Sequence, residues 1–375
     1  MRSHLAALFL LLLPVGVFAE SADQPTSTAA TPAVLQLAVE KGLFYIERQS
    51  MVWWKENKCV SCHEGPMLLV AHIVAKERGV PIDQRKLDFW SERWVFKGAV
   101  TKVRKDGKTD TVGTLALPWL FLYREREQEQ SASRAKAFGE LFRELAKKSQ
   151  APAGDWGPDN RLNYTSWIVL SLAELEQSKL PFEPKLREEI AASRQRTETW
   201  LESQTLPSPG KTEELAGWVA YEHACGHKER ARLLLDELLA RQQPGGSWGM
   251  TKDEQAHNLV TGVALLSLKR CDVPNEHPAV VKAQRFLLDG QAADGRWPTK
   301  GRYFHTERED PPVEAWASGL IVTALCATLP PLPADTKPLF TRDPKLVEET
   351  DKLALEAAEG YSSFDYEGDP TLDSP

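Results

Sequence analysis

The sequence predicts an all-α fold, a ring of about six helical hairpins built from a tandem repeat. Turns rich in Gly and Trp recur along the chain: Gly154-Asp155-Trp156-Gly157, Gly245-Gly246-Ser247-Trp248-Gly249 and Asp294-Gly295-Arg296-Trp297. Trp248 and Trp297 stand 49 residues apart, and Trp156 and Trp248 stand 92 apart, close to two periods. Each turn has a charged amphipathic stretch before it and a more apolar stretch after it. Apolar residues recur at three- and four-residue spacing in both kinds of stretch, the helical signature. A polar helix followed by an apolar one, many times over, buries its surface best as an inner ring of apolar helices wrapped by amphipathic ones.

The elements follow in order. Met1-Arg2-Ser3-His4, the apolar run Leu5–Phe18 and the small-residue end Val17-Phe18-Ala19 read as a secretory signal over residues 1–19. No cysteine follows it, so it offers no lipid anchor. No later stretch approaches the ~20 apolar residues of a membrane span. Residues 20–32, rich in Ser, Thr, Ala and Pro, read as a flexible leader. The helical body is expected over 33–360. Its amphipathic stretches are Val34–Arg48, Ile82–Phe96, Ala132–Lys148, Glu188–Glu202, Glu229–Arg241 and Ala279–Leu288. Its apolar ones are Pro66–Ala75, Val112–Tyr123, Tyr164–Leu175, Leu215–Cys225, Leu259–Leu268 and Val313–Leu329. Degenerate turns at Lys105-Asp106-Gly107-Lys108 and Thr205–Gly210 fill the missing periods. Asp343–Glu359 reads as a last outer helix that packs on Val34–Arg48, and 361–375 as an acidic disordered tail. A formal net charge of -7 makes nucleic acid and anionic membranes poor partners.

One period before Asp106-Gly107, a different motif replaces the turn: Lys58-Cys59-Val60-Ser61-Cys62-His63. C-x-x-C-H is the attachment sequence of c-type haem. The two cysteines are one helical turn apart, so both sulfurs can reach one porphyrin edge. His63 follows directly and can serve as proximal iron ligand. Covalent attachment of this kind takes place outside the bacterial cytoplasm, so the signal and the motif support each other and point to a periplasmic or secreted protein. The same five residues are also compatible with a zinc half-site, a redox dithiol or a disulfide beside an incidental His. A zinc site needs about four ligands, and no second C-x-x-C exists. A redox dithiol wants a βαβ context that a helical chain lacks.

The run from Lys282 to Leu288, followed by Gln291-Ala292-Ala293-Asp294-Gly295-Arg296-Trp297, resembles the Q-x-x-D-G-x-W repeat of squalene–hopene cyclases and protein prenyltransferases. Gln242-Gln243-Pro244-Gly245-Gly246-Ser247-Trp248 is a looser copy, and Gly154-Asp155-Trp156 a third. The resemblance covers roughly residues 33–330 and implies an (α/α)6 toroid. It also implies two activities that the residues do not support. The cyclases protonate an alkene with D-x-D-D, which is absent; the nearest acidic cluster, Glu307-Arg308-Glu309-Asp310, reads as a solvated loop. The prenyltransferases hold zinc with Asp, Cys and His. Asp253-Glu254-Gln255-Ala256-His257 stands where that site would lie, without a cysteine. Glu64-Gly65-Pro66 resembles the loop after haem attachment in cytochromes c, and the stretch from Trp53 to His63 resembles C-x-x-C-H-bearing cyclase-like proteins.

The sixth iron position has three candidates at the starts of inner helices: His257, His305 and Met250. A five-coordinate iron is the alternative. Met67 would lie on the same haem face as His63, His72 reads as a packing residue, and His223 and His227 read as structural or solvated. Cys225, Cys271 and Cys326 read as packed thiols, with one disulfide among them possible in an oxidising compartment. Of the twelve Trp, Trp53, Trp54, Trp90 and Trp94 lie near the motif as core or as a wall over one haem face. Tyr164, Trp167, Trp218, Tyr221 and Trp316 are candidates to line a central cavity. The expectation is a haem protein that works in electron transfer with a partner protein, or in redox catalysis on a small apolar molecule. The competing classes are a diverged terpenoid cyclase or prenyltransferase and a non-catalytic binding scaffold.

Overall fold

The computed structural model describes residues 29–57, 64–91, 119–124, 131–157, 161–204, 210–299 and 314–362. The signal segment 1–19, Cys59, Cys62, His63, Trp94, His305, Glu307–Asp310 and the tail from 363 lie outside the described residues. Among the described residues the regular structure is helical, apart from one bridge between Gln150 and Trp156.

The amphipathic helices are α1 (Pro32–Asn57), α3 (Gln84–Trp90), α4 (Ala132–Ser149), α6 (Pro184–Ser203), α8 (Lys228–Ala240), α10 (Pro278–Asp289) and α12 (Pro344–Ser362). The apolar ones are α2 (Glu64–Glu77), α5 (Arg161–Glu176), α7 (Thr212–Ala224), α9 (Asn258–Arg270) and α11 (Glu314–Thr328), with a further helical turn at 119–122. Burial separates the two kinds. In α6 only the stripe Leu186, Ile190, Ser193, Thr197 and Leu201 is buried, the 3.6-residue pattern of a helix with one wet face. In α9 every residue from Leu259 to Leu268 is buried. Such a helix is covered on all sides.

The apolar helices pack side by side in the order α5, α7, α9, α11, α2. They run parallel, because near-start residues meet near-start residues. Gly217 of α7 abuts Ser166 and Trp167 of α5, Gly262 of α9 abuts Ile321 of α11, and Gly319 of α11 abuts Met67 of α2. Each of these glycines lets a neighbouring helix approach more closely than a Cβ would permit. The amphipathic helices cover the arc: α6 lies on α5, α8 on α7, α10 on α9, and α1 on both α11 and α2. α12 packs on α1, as the sequence predicts for its last helix. Glu47 ties this corner together, with Lys86 at 2.6 Å and Arg342 at 3.2 Å, while Lys86 also reaches Asp351 at 2.5 Å.

The Gly/Trp turns share one construction. Trp156, Trp248 and Trp297 are fully buried. Each donates its backbone N–H to a hydroxyl near the start of the next apolar helix: Thr165 at 3.0 Å, Thr261 at 3.0 Å and Ser318 at 3.2 Å. The indole N–H of Trp248 donates to Leu238 O at 2.7 Å and that of Trp297 to Leu287 O at 2.6 Å. Two residues before each Trp stands a glycine at positive φ, Gly154 at 106°, Gly246 at 93° and Gly295 at 95°. A Cβ on any of them would run into a backbone carbonyl, that of Arg196, Lys282 and Lys41 respectively. Six residues before each Trp stands a glutamine that donates into the same helix backbone: Gln150 to Ser193 O at 3.0 Å, Gln242 to Ala279 O at 2.8 Å and Gln291 to Ala38 O at 2.9 Å. The turn therefore staples one unit to the amphipathic helix of the next, and the third turn staples to α1.

Some expectations need correction. The hairpin partners are an apolar helix and the amphipathic helix after it, because the short links Ala224–Lys228 and Arg270–Pro278 reverse the chain. The longer Gly/Trp turns step sideways to the next unit. α1 runs on to Asn57, past the expected Arg48, and α12 to Ser362, past the expected start of the tail.

Candidate functional site

In the sequence, the C-x-x-C-H motif falls between the end of α1 at Asn57 and the start of α2 at Glu64. The large buried side chains near it in sequence are engaged in packing. Trp54 and Trp90 are each 3% exposed. Met67 is buried against Gly319. His72 is buried, its Nδ1 lies 2.7 Å from Leu68 O, and its ring stands edge-on to Trp90 at 5.0 Å. Burial lowers its pKa to about 3, against a backbone hydrogen bond that favours the proton. His72 is therefore a neutral core residue at ordinary pH, as the sequence suggests.

The parallel arc gathers the starting ends of α2, α5, α7, α9 and α11 along one edge, and the motif leads into that edge. Two distal candidates stand on it, both in the turn before α9. His257 caps that helix, accepting a long 3.5 Å bond from Val260 N at Nδ1, and its backbone N–H donates to Trp248 O at 3.0 Å. Met250 packs on the core, and its carbonyl accepts from Thr212 N at 2.8 Å. α11 lies between α9 and α2. His257 and Met250 thus share a turn with each other, one helix removed from the helix that follows the motif.

On the same edge lies a residue that sequence reasoning passed over. Glu213, in the first turn of α7, is 5% exposed and its Oε1 has no hydrogen-bond partner. Beside it, Thr212 is fully buried and its Oγ1 is likewise unpartnered. Burial raises the Glu213 pKa to about 7; Lys211 pulls it down and Glu214 pushes it up. The sequence signal for it was its register with Ala216 and Ala220, which puts a carboxyl on an otherwise small-residue face.

The opposite edge carries a charged cluster. Arg270, at the end of α9, lies 5.6 Å over the ring of Tyr123 and 3.8 Å from Glu174 of α5, which Arg124 also approaches at 3.8 Å. Burial is the largest influence on Tyr123 and raises its pKa.

A cavity of about 300 Å³ opens between α5, α6 and α7, lined among others by Tyr221, Cys225, His227, Arg194, Glu198 and Glu202. Arg194 is held by Glu176 at 2.6 Å and by Glu198. His227 Nδ1 lies 2.7 Å from Glu222, a buried carboxylate that also takes Arg230 at 2.9 Å and the Trp218 indole at 2.8 Å. Partial desolvation at the cavity wall raises the Cys225 pKa, as do Glu198 and Glu222, against the Tyr221 hydrogen bond and Arg194, which lower it.

The remaining expectations divide. Trp218 points outward to α8, where Arg230 lies 5.8 Å over its ring, and does not line the interior of the arc. Trp167 packs as core against Trp119, their rings tilted by 36° with centroids 4.7 Å apart. Cys225 is exposed rather than packed, because it caps α7 beyond its last covered turn. Cys271 and Cys326 are buried free thiols that burial pushes up to about 12. Among the described residues no helix is long and apolar enough to cross a membrane. No protein-family model matches the chain, and no curated protein matches it.

Proposed function

We propose that this chain is an exported c-type haem protein whose helices close into an (α/α)6 toroid, and that it works in electron transfer or haem redox catalysis. The observation that carries the reading is the unbroken Cys59-x-x-Cys62-His63 directly before the first apolar helix in the sequence. Cys59 and Cys62 would hold the haem and His63 its iron, and the haem would supply one-electron iron chemistry. Two structural facts support the ring. The apolar helices of the first and last units, α2 and α11, are neighbours. The last Gly/Trp turn staples to α1 as the earlier ones staple to α6 and α10. The charged cluster of Arg270, Tyr123 and Glu174 would then close one mouth of the ring, leaving the motif's edge as the way in. A partner protein or a small apolar molecule would approach there.

The test is an absorption spectrum of the full chain, exported in a host with c-type maturation machinery and compared with Cys59→Ala/Cys62→Ala. A haem band that survives acid–acetone extraction in the parent and vanishes in the variant is the expected result. His257→Ala and Met250→Ala then report the distal ligand through the reduced-band position. A folded, colourless parent overturns the proposal. A mature mass that still includes residues 1–19 overturns the export reading.

A further inference from the structure

The cavity between α5, α6 and α7 has no part in the haem reading, and its lining has a chemistry of its own. Arg194, Glu198 and Glu202 follow at four-residue intervals on α6, so they stand in a row on one face of the helix. Arg194 is the one permanent cation among the described lining residues, and it is already engaged: Glu176 holds its Nε at 2.6 Å and Glu198 holds its Nη1. One guanidinium thus answers two carboxylates, and Glu202, exposed one turn further on, adds a third. Behind the wall, Glu222 is matched by Arg230 at 2.9 Å and His227 at 2.7 Å. The rest of the lining is largely apolar. Ala173 is half-buried and Ala224 exposed, over a floor of Val169 and Leu170. The Tyr221 hydroxyl is hydrogen-bonded to the Cys225 thiol. A volume of about 300 Å³ is at the small end of the range that takes organic ligands.

We propose that this cavity binds a small organic cation, a primary ammonium on a short apolar body. The ammonium takes its place by Glu198 and Glu202 and supplies the positive charge that the row on α6 lacks. The body lies against Ala173 and Ala224. An anion is disfavoured, because Arg194 already holds two carboxylates. A bare metal ion is disfavoured too: among the described residues no group of three or more His, Cys, Asp or Glu side chains is placed to hold one. A neutral molecule of the same shape leaves the carboxylates without a counter-charge. The cavity opens to solvent, so the attraction is screened and affinity falls as salt rises. The site stands apart from the cofactor reading: it uses neither the Cys59–His63 motif nor its candidate ligands, so either can fail without the other.

The probes are hexylamine, hexanol and sodium hexanoate, titrated into the full-length protein at neutral pH by calorimetry. Hexylamine is expected to bind about tenfold more tightly than either of the others, the worth of two solvent-exposed charge contacts. Cys225 reports the location, since its thiol is exposed and lines the cavity. Saturating hexylamine should slow its alkylation by iodoacetamide about fivefold, read by mass spectrometry on the peptide that carries it, and hexanoate should not. Glu202→Lys should weaken hexylamine about tenfold. Glu349→Lys, at an exposed position on α12, changes the net charge equally and should leave the affinity within about twofold of wild type. Hexanol or hexanoate binding as tightly as the amine, no binding of amine by the folded wild type, equal losses in the two charge variants, or an unprotected Cys225 in the amine complex overturns the proposal. The ranking of probes and the alkylation need only the wild type, so they decide the matter even where a variant fails to fold.

Discussion

Two buried side chains give this protein opposing responses to pH. His72 has its folded pKa lowered to about 3, so between there and the ordinary value near 6.5 the unfolded chain holds the extra proton. Its contribution is complete above the unfolded value and is lost as pH falls through that window. Glu213 behaves in the opposite sense. Its folded pKa is raised from 4.5 to about 7, so the native state holds the extra proton and stability declines as pH rises across that interval. The full swing is about 3 kcal/mol at the rate of about 1.4 kcal/mol per pH unit. Glu213→Gln should therefore raise the melting temperature at pH 8 and leave it little changed at pH 4, as a calorimetric pH series would read. A gain that is equal at both pH values would mean that the carboxyl is not desolvated. His72→Gln should flatten the acid limb of the same series. A further single-residue expectation concerns Trp248, fully buried with its indole bonded to Leu238 O. Its truncation to Ala should cost about 3–5 kcal/mol in chemical denaturation.

At the scale of the turn and the helix, neighbouring glycines provide an internal control. Gly246 has φ 93° and faces the carbonyl of Lys282, whereas Gly245 meets nothing within 4 Å. Gly246→Ala should cost upward of about 1–2 kcal/mol from conformation alone, before the clash is counted. Gly245→Ala should stay within about 0.5 kcal/mol of wild type. Urea midpoints for the two would separate the staple from the mere bend of a loop. The repeat was legible in the sequence for a physical reason: a left-handed glycine and a fully buried Trp are hard to replace, so Gly246-Ser247-Trp248 and Gly295-Arg296-Trp297 keep their spacing. Gln150 was harder to see as a repeat member, since Ala151-Pro152-Ala153 separates it from its glycine without the acidic residue of the fuller copy. The hydroxyls that receive the Trp backbone N–H were hidden too. Thr165, Thr261 and Ser318 lie 9, 13 and 21 residues beyond their Trp, and only the fold makes those distances equivalent. Glu213 escaped notice because a Glu in the first turn of a helix is ordinary at a surface; its burial is set by helices remote in sequence.

For the molecule as a whole, the corner of α1, α3 and α12 is the point where beginning and end meet. Glu47, 2% exposed, serves both Lys86 and Arg342 there. Glu47→Gln removes the charge that both cations share and should destabilise by about 1–3 kcal/mol, measured by thermal unfolding. Arg270→Met probes the opposite edge. It should lower stability and, if that cluster stoppers the ring, hasten hydrogen exchange at the end of α5. The fold class could be read from helical periodicity, and the order of helices from the repeat. The meeting of α12 with α1 followed from the repeat, but the seating of α1 on α11 did not, since no local signal in Val34–Arg48 singles out that helix.

That seating has a kinetic consequence. Gln36 bonds to the carbonyl of Lys337, 301 residues away, and Glu40 receives the backbone N–H of Leu339. α1 and α2, which pack on each other, thus gain α11 and α12 only when those distant helices are complete. Contacts of such sequence separation are slow to form, because loop closure must precede the reward. Until then the apolar sides of α2 lack α11, and the nascent chain presents an adhesive surface for most of its synthesis. The contacts of α1 and α2 with α11 and α12 should accordingly be among the last to form, and a holding chaperone would be expected to act on α2.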